Sequence, residues 1–393
     1  MTGPQLPPDN TSRPGTVPEI TPGEFLTGVE KGEPLQLLDV RAPARVAGGR
    51  IEILPGEKFH NIPGSRLLAI TDLRESGIDP RVPVVVVCGH GNDSRVCAAH
   101  LNRLGARAVS LAGGMASWMA LAVPREIVPP TGLDRLVQMD RVGKGSLGYI
   151  LVEGGEALVI DPGRDVGAYM NILEGSRLKP VAVADTHVHA DYLSGGGSLA
   201  RTLGVPYFLH PADSVSPFDG TPGRLDFRPL GEGVSLRLGK SSVTVQHTPG
   251  HSPGSVSLLV GDSAAFTGDF LFVASVGRPD IADREEEWAG DLWRSIVRVR
   301  SSWPPGMRIF PAHYASAGER TSGGAVFGTL GEMALANPSL RFTREIDFRA
   351  WVRSNSRPVP PAYRMIKDIN LALASVSDEE ADQLESGKNE CAL

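Results

Sequence analysis

The strongest constraint on this chain is the position of its potential metal-binding side chains, because each group of them follows a short apolar run. The segments that carry them are THVHAD (186–191), HTPGH (247–251), FTGD (266–269) and PAHY (311–314). The apolar runs predict strands, and loops at strand ends are common places for functional sites. A lone histidine is usually a core or surface residue, but H-x-H-x-D followed by Gly-flanked His and Asp is far more specific. We therefore predict one metal site, with His187, His189, Asp191, His251, Asp269 and His313 as the candidate donors.

Length and charge exclude several classes of protein. The chain has 393 residues, which predicts two or three domains at roughly 100–200 residues per domain. Its net charge is −6 and it has no long basic run, so nucleic acid is not an expected partner. No stretch approaches the ~18 continuous apolar residues of a membrane span. Three cysteines cannot form a disulfide framework, so a reducing cytoplasm is the expected compartment.

The first block, residues 18–125, has the pattern of an α/β domain. The run VPVVVVC (82–88) is apolar and β-branched, which predicts a buried, parallel strand. The segment that follows, SRVCAAHLNRLG (94–105), has helical spacing and ends at a glycine. Strands that alternate with helices in this way predict a parallel sheet covered by helices.

The second block, residues 133–373, is rich in short strands with interspersed helices and predicts a layered α+β or αββα domain. Its first segment, SLGYILVEGGEALVIDPG (146–163), predicts a hairpin around a Gly-Gly turn. The remaining segments are a disordered leader (1–17), a Pro-rich linker (126–132) and a solvated acidic tail (374–393).

Cys88 has the sequence setting of a reactive thiol. It ends the buried strand and opens the loop CGHGNDSR (88–95), which leads into a helix. Loop amides and a helix N-terminus favour the thiolate, which is the nucleophile. A free cysteine alone is more often buried and inert, and Cys97 and Cys391 are interpreted as a core residue and an incidental tail residue.

The first block resembles a single-domain rhodanese, a sulfurtransferase. Four separated motifs carry the resemblance: LLDVRAP (37–43), IPGS (62–65), CGHGNDSR (88–95) and LAGGMASW (111–118). The resemblance implies that Cys88 accepts a sulfane sulfur as a persulfide. The implied cradle is the loop Gly89, His90, Gly91, Asn92, Asp93, Ser94 and Arg95. Two residues depart from the family pattern, Arg50 and Asp93, and the acid at 93 makes the pocket less attractive to an anionic donor such as thiosulfate.

The second block resembles the metallo-β-lactamase superfold, which implies an αββα architecture. The motifs GYILVEGGEALVIDPG, THVHAD, TPGHSPGS, FTGD and PAH occur in the family's order. In two-zinc members such as glyoxalase II, the implied first ligand set would be His187, His189 and His251. The second would be Asp191, position 192 and His313, with Asp269 bridging the two metals.

Tyr192 argues for one metal instead of two. A neutral phenol is a poor ligand for a divalent ion compared with imidazole, so the second set lacks a donor. Two histidines and one carboxylate with open positions are typical of non-haem Fe(II) oxygenases. The resemblance to persulfide dioxygenases of this superfold implies His187, His251 and Asp269 as ligands of one Fe(II) per chain, with zinc as the alternative. His189, Asp191, Tyr192 and His313 would then orient ligands or a bound water.

The segment GRPD (277–280) is similar to one that follows the metal-binding Asp in those dioxygenases and in dioxygenase–rhodanese fusions. NPSL (337–340) and PPAYRMIKDIN (360–370) also fit the fusions. Arg278 and Asp280 have two interpretations of equal weight, a structural ion pair under the metal loop and a direct catalytic role.

Both resemblances concern sulfane sulfur. Together they imply Fe(II)-dependent oxidation of a low-molecular-weight thiol persulfide, such as glutathione persulfide, by O2 to sulfite. Cys88 would transfer sulfur between the persulfide and sulfite or thiosulfate. A zinc-dependent thioester hydrolase of the glyoxalase II kind and a sulfur carrier that works through Cys88 alone remain alternatives. The sequence does not decide whether the chain forms a homo-oligomer.

Overall fold

The computed structural model describes residues 17–282, 284–387 and 389–393, and the chain divides into two compact units at Leu121/Ala122. The predicted disordered leader lies outside the described residues except for Val17. Among the described residues, no helix combines the length and the apolar character that a bilayer crossing requires.

The first unit is an α/β domain, as predicted. Its described elements are β1 (Glu19–Ile20), α1 (Pro22–Glu30), β2 (Gln36–Asp39), α2 (Pro43–Ala47), β3 (Phe59–Asn61), α3 (Gly64–Leu67), β4 (Val84–Val87), α4 (Asn92–Arg103), β5 (Ala108–Leu111) and α5 (Gly114–Ala120). The described strands form a parallel sheet in the order β1-β5-β4-β2-β3. The four valines of β4 are fully buried because the strand lies in the middle of the sheet, as its β-branched run predicts.

The second unit contains two sheets. Its described strands are β6 (Ala122–Ile127), β7 (Arg135–Arg141), β8 (Ser146–Glu153), β9 (Glu156–Ile160), β10 (Lys179–Ala184), β11 (Tyr207–Leu209), β12 (Arg228–Pro229), β13 (Ser235–Leu238), β14 (Ser241–His247), β15 (Val256–Val260), β16 (Ala264–Gly268), β17 (Arg308–Pro311) and β18 (Gly328–Thr329). Its described helices are α6 (Val166–Gly175), α7 (Gly196–Leu203), α8 (Glu285–Ser302), α9 (Leu330–Ala336), α10 (Glu345–Asn355), α11 (Ala362–Asn370) and α12 (Asp378–Glu385). Strands β6 to β12 form one sheet, in sequence order across it, and β13 to β18 form the other.

The layering is αββα, as the family resemblance implies. Side chains alternate between the two faces of a strand, so each sheet supplies residues to two cores. Leu151 and Phe266 lie in the core between the sheets, whereas their neighbours Ile150 and Ala265 lie in the outer cores. Helices α6 and α7 cover the first sheet, and α8, α9 and α10 cover the second.

The predicted hairpin is confirmed. Strands β8 and β9 pair antiparallel from Glu153↔Glu156 to Tyr149↔Ile160. The two turn residues, Gly154 and Gly155, have φ of 60° and 78°. A two-residue turn of this kind needs positive φ at both positions, which glycine adopts without a steric penalty.

The prediction of a linker at 126–132 is wrong at its start, and the first domain ends at 121 instead of 125. Residues Ala122–Ile127 form β6, an edge strand that pairs with β7 along its whole length. The strand includes Pro124, and a proline is compatible with an edge strand because one side of that strand has no ladder to break.

The prediction of a solvated tail over 374–393 is also wrong. Helix α12 begins with a capping box formed by Ser377 and Glu380, and it buries Ala381 and Glu385. Cys391 is fully buried within the second unit. The acidic composition suggested a solvent-exposed tail. The contacts that bury it involve residues far away in the sequence, which a local pattern does not show.

Phe266→Ala should lower the free energy of unfolding of the second unit by about 3–5 kcal/mol. Phe266 is fully buried between the sheets, where its ring stacks on Phe310 with centroids 5.0 Å apart and meets Tyr149 edge-on at 4.9 Å. The measurement is urea unfolding of the full chain. The control is Leu335→Ala at a 77% exposed position, which should change stability by less than about 0.5 kcal/mol. A loss below about 1 kcal/mol for the Phe266 variant would contradict the sandwich core.

Candidate metal centre

The predicted donors follow strands of both sheets, as the sequence pattern requires. The loop with His187, His189 and Asp191 follows β10, and His251 lies in the loop after β14. Asp269 comes directly after β16, and His313 comes two residues after β17. All six predicted donor side chains are at most 1% exposed.

Three of these donors form a tight cluster: His187, His251 and Asp269. One ligand atom from each residue lies within 4.8 Å of the other two. Asp269 Oδ2 is 3.7 Å from His187 Nε2 and 3.5 Å from His251 Nε2. All three atoms are buried and lack a hydrogen-bond partner. Buried polar atoms are nearly always partnered, so three that converge on one point require an explanation.

Hydrogen bonds to the other ring nitrogens determine which tautomers the two histidines adopt. His251 Nδ1 lies 3.0 Å from the carbonyl oxygen of Arg278, which can only accept, so Nδ1 carries the proton. The Thr186 hydroxyl donates its single hydrogen to Asp161, so it must accept from His187 Nδ1 at 3.1 Å. Both Nε2 atoms are therefore unprotonated, and each presents a lone pair.

Electrostatics keeps both imidazoles neutral. Burial, reinforced by the neighbouring histidines, lowers the pKa of His187 well below its usual value, and burial also lowers the pKa of His251. Two neutral imidazole acceptors thus face a carboxylate oxygen, with no hydrogen between them. A cation satisfies all three lone pairs, and two imidazoles with one carboxylate suit a divalent transition metal.

His313 lies between two carboxylates, outside this cluster. Its Nδ1 is 2.6 Å from Asp269 Oδ1, and its Nε2 is 2.9 Å from Asp191 Oδ2. Burial alone would lower the pKa of His313, but the two carboxylates raise it to about 10. His313 Nδ1 holds one oxygen of Asp269, which leaves Oδ2 of Asp269 for the cluster, whereas His313 Nε2 and both oxygens of Asp191 are buried without a hydrogen-bond partner.

His189 also lies outside the cluster, and Tyr192 holds it there. The Tyr192 hydroxyl is 2.8 Å from His189 Nε2, and the two rings stack with centroids 4.2 Å apart. The same nitrogen is 3.2 Å from Asp161 Oδ1. Burial raises the pKa of Tyr192 well above its usual value, so the phenol stays neutral. The sequence predicts that Tyr192 removes a ligand; in the structure Tyr192 contacts Nε2 of His189, while Nδ1 of that ring is buried without a hydrogen-bond partner.

Two positioning residues escaped the sequence analysis. Asp161 appeared only as the end of the hairpin, yet it accepts from the backbone N–H of Thr186 at 2.7 Å and adopts a left-handed φ of 49°. The sequence contained a signal for Asp161, since this acidic residue comes directly after a buried strand, as the candidate donor Asp269 does. Asp213 ties the two ligand loops together by accepting from the N–H groups of Val188 at 2.9 Å and Gly254 at 2.7 Å. Nothing in its local sequence distinguishes it.

Arg278 and Asp280 form an ion pair, which is the structural one of the two interpretations given for these residues. Arg278 Nε and Nη2 donate to the two oxygens of Asp280 at 2.6 and 2.7 Å. Arg278 also contacts the ligand set through its backbone carbonyl, which accepts from His251.

In the first unit, Cys88 lies at the end of β4 and is 2% exposed. Its sulfur accepts from the N–H of Gly91 at 3.1 Å and lies 3.3 Å from the Ser94 hydroxyl. Gly114 packs closely against the backbone of the loop, because a Cβ on Gly114 would be 2.5 Å from the Cys88 carbonyl oxygen. His90, Asn92, Asp93 and Arg95 are exposed, and Gly89 is half-buried. The loop thus encloses the sulfur with backbone and Ser94 and keeps its charged side chains toward solvent.

Comparison with known proteins gives two family matches. Residues 21–121 match the rhodanese-like domain, and residues 142–314 match the metallo-beta-lactamase superfamily. An uncharacterized protein of Mycobacterium tuberculosis is 33% identical over 191 residues, which cover 42% of this chain and 84% of that protein.

Some of the relatives have named activities, among them a hydrolase and a dioxygenase. The hydroxyacylglutathione hydrolase of Anaeromyxobacter dehalogenans is 34% identical over 176 residues, 44% of this chain and 63% of the hydrolase. The mitochondrial persulfide dioxygenase ETHE1 of Mus musculus is 34% identical over 164 residues, 41% of this chain and 60% of that protein. The crystal structure of ETHE1 from Myxococcus xanthus superposes with a TM-score of 0.51 at 23% identity, covering 64% of this chain and 99% of that one, which supports the fold.

Tyr192→His should raise the metal content from one to two ions per chain. The new imidazole would supply the missing donor beside Asp191 and would release the contact that Tyr192 makes with His189. The measurement is metal analysis of anaerobically purified protein. Tyr192→Phe, which keeps the ring and removes the hydroxyl, is the control and should leave the stoichiometry unchanged. One ion in both variants would show that Tyr192 does not limit metal binding.

Proposed function

The chain belongs to the metallo-β-lactamase superfamily and carries a rhodanese-like domain ahead of that domain, and from this premise we propose that it is a persulfide dioxygenase with a sulfurtransferase activity. The metal-binding unit would oxidise a low-molecular-weight thiol persulfide, such as glutathione persulfide, with O2 and water, so that the outer sulfur leaves as sulfite and the thiol is released. The rhodanese-like unit would transfer sulfane sulfur through Cys88.

One observation carries the proposal: two neutral Nε2 atoms and one carboxylate oxygen converge without a hydrogen between them. His187, His251 and Asp269 would hold one Fe(II), because a two-His, one-carboxylate set with open positions is the pattern of non-haem Fe(II) oxygenases. Zinc accepts the same donor types, so the identity of the metal needs measurement.

The bound iron would supply adjacent positions for the persulfide sulfur and dioxygen and would activate the oxygen. The protein residues prepare this site. Thr186 and the Arg278 carbonyl orient the two imidazoles, and His313 holds the outer oxygen of Asp269. The near-complete burial of the ligands excludes bulk water, which strengthens the electrostatic interactions within the site.

Cys88 would take the outer sulfur of a persulfide or of thiosulfate and release the remaining thiol or sulfite. The reverse transfer, from the Cys88 persulfide to sulfite, would make thiosulfate. The Gly91 N–H that contacts the sulfur would stabilise its negative charge. Two activities on one chain raise the local concentration of a shared sulfur compound.

A thioester hydrolase is the second candidate, and the relative from Anaeromyxobacter dehalogenans favours it. That chemistry needs a metal-bound hydroxide, usually held by two metals, and Tyr192 removes a donor from the second set. A sulfur carrier that acts through Cys88 alone would bind no metal. Metal analysis separates the three: one iron supports the dioxygenase, two zinc the hydrolase and none the carrier.

Asp269→Ala should abolish oxygen uptake with glutathione persulfide and lower metal affinity by more than about 100-fold, since even partners outside a ligand set typically contribute 10–100-fold. Sulfurtransfer should persist. The measurements are an oxygen electrode assay and metal titration. Asp262→Ala, in the exposed turn just before β16, is the matched control and should retain both properties. Oxygen uptake that survives the change would remove Asp269 from the ligand set.

Cys88→Ser should reduce sulfurtransfer below about one hundredth of the wild-type rate, because it removes the nucleophile. Oxygen uptake with a free persulfide should continue unchanged. Thiocyanate formation from a sulfane sulfur donor and cyanide measures the first activity. Cys97→Ala is the control, because Cys97 is buried and burial raises its pKa to about 11. Loss of both activities in the Cys88 variant would mean that the substrate must first pass through Cys88.

A further inference from the structure

A cavity of about 180 Å³ lies in the second unit, beside the proposed metal centre. Val188 and Pro253 line it, and they belong to the two loops that carry the proposed histidine ligands. We propose that this cavity binds a small organic acid, held by the ammonium group of Lys367 at its inner end and by the guanidinium of Arg284 at its rim. The inference goes beyond the proposed function, since it depends neither on the metal nor on the persulfide.

The cavity has a buried inner wall and an exposed rim. On the inner wall, Val188, Trp288 and Leu371 are at most 3% exposed and present apolar surface. At the rim, Gly220 and Arg284 are exposed. Sites for small molecules are typically concave, with mainly apolar walls and a few charged or polar groups that fix the orientation of the ligand. The lining of this cavity has that composition.

The charged group on the inner wall is Lys367, which is 3% exposed. Its ammonium group has three hydrogens to donate. One of them is donated to the Val188 carbonyl at 2.8 Å, and among the residues that the structure describes Lys367 has no other hydrogen bond and no ion pair. A buried charge is costly unless it is paired, so a carboxylate in the cavity would find a cation that it can neutralise.

The carboxylate that lines the cavity, Asp213, already has partners. Its Oδ1 accepts from the N–H of Gly254 at 2.7 Å, and its Oδ2 accepts from the N–H of Val188 at 2.9 Å and from the Ser252 hydroxyl at 2.8 Å. Burial lowers the pKa of Lys367, and the charge of Asp213 opposes that effect. A bound carboxylate would act in the same sense as Asp213 and favour the charged ammonium group.

Arg284 supplies a second cation. Its side chain is 51% exposed and pairs with Glu287 in the first turn of α8. The charged residues of the lining are Asp213, Lys367 and Arg284, so the cavity has one negative and two positive side chains. This excess of positive charge favours an anion, and two cations at different depths favour an acid with two carboxylates.

The volume limits the ligand to a short acid. A cavity of about 150 Å³ holds benzene, so the space of about 180 Å³ accepts about eight non-hydrogen atoms. Succinate is an acid of this size. A short carbon chain would cover the apolar inner wall, which an inorganic anion such as sulfate would leave exposed to water. An organic acid therefore matches both the charge and the apolar surface of the cavity.

The first test compares three ligands of equal size by titration calorimetry with the full chain: succinate, its monoamide succinamate and its neutral diamide succinamide. At constant ionic strength, both acids should bind at least about tenfold more tightly than succinamide, because hydrogen bonds to charged groups contribute more than neutral ones. Succinamide that binds as tightly as the acids, or no binding of succinate at about 10 mM, would overturn the proposal.

The second test uses variants to locate the ligand. Lys367→Met should weaken the binding of succinamate at least about tenfold, since it removes the inner cation. Arg284→Gln changes an exposed side chain that the fold does not depend on. It should weaken succinate about three- to tenfold and leave succinamate unchanged, because only the second carboxylate reaches the rim.

The matched control is Glu287→Gln, which removes the ion-pair partner of Arg284 but keeps the guanidinium. Succinate should bind to this variant as tightly as to the starting protein, or more tightly. Unchanged succinate affinity in Arg284→Gln, or an equal loss in Glu287→Gln, would overturn the proposal. These measurements need neither metal nor oxygen uptake, so a failure of the proposed function would not alter their outcome.

Discussion

The metal-binding unit depends on one electrostatic constraint, the convergence of three unprotonated lone pairs in a buried space. The proton on each histidine is fixed on the far side of its ring, by a carbonyl for His251 and by the Thr186 hydroxyl for His187. The same relation holds for Asp269, whose outer oxygen is taken by His313. Each of the three side chains is thereby oriented by a hydrogen-bond partner on one side, and the atom that has no partner points into the cluster.

Tyr192 and His313 explain why six donors need not produce two metal sites. His313 Nδ1 is held by Asp269 at 2.6 Å, whereas its Nε2 lies 2.9 Å from Asp191 without forming a hydrogen bond. His189 is held by Asp161 and by the phenol of Tyr192. A histidine at 192 would be a further imidazole donor, whereas a buried neutral phenol offers a poor one. We propose that the second group of residues supports the first, although His189 Nδ1, both oxygens of Asp191 and His313 Nε2 are also buried without a hydrogen-bond partner.

The two proposed reaction centres lie in different physical settings. Around Cys88 the backbone supplies the positive partial charge, through the N–H of Gly91 in a tight glycine-rich loop. In the second unit, side chains would supply the ligands of the proposed metal. Burial, together with the charges of Asp191 and Asp269, raises the pKa of the Cys391 thiol well above its usual value.

The sequence by itself determined the features that depend on nearby residues. It predicted that the donors would follow strands, that Val84–Val87 would be a buried strand and that Gly154-Gly155 would close a hairpin, because periodicity and turn chemistry act over a few positions. Only the tertiary structure decided the rest. Pro124 entered an edge strand because β7 supplied a pairing partner, and part of the acidic tail is buried because Gly277 and Leu193 lie beside it in space. Asp213 and Asp161 position the ligand loops through contacts with residues about 25 or more positions away, and no local pattern encodes which backbone groups will meet them.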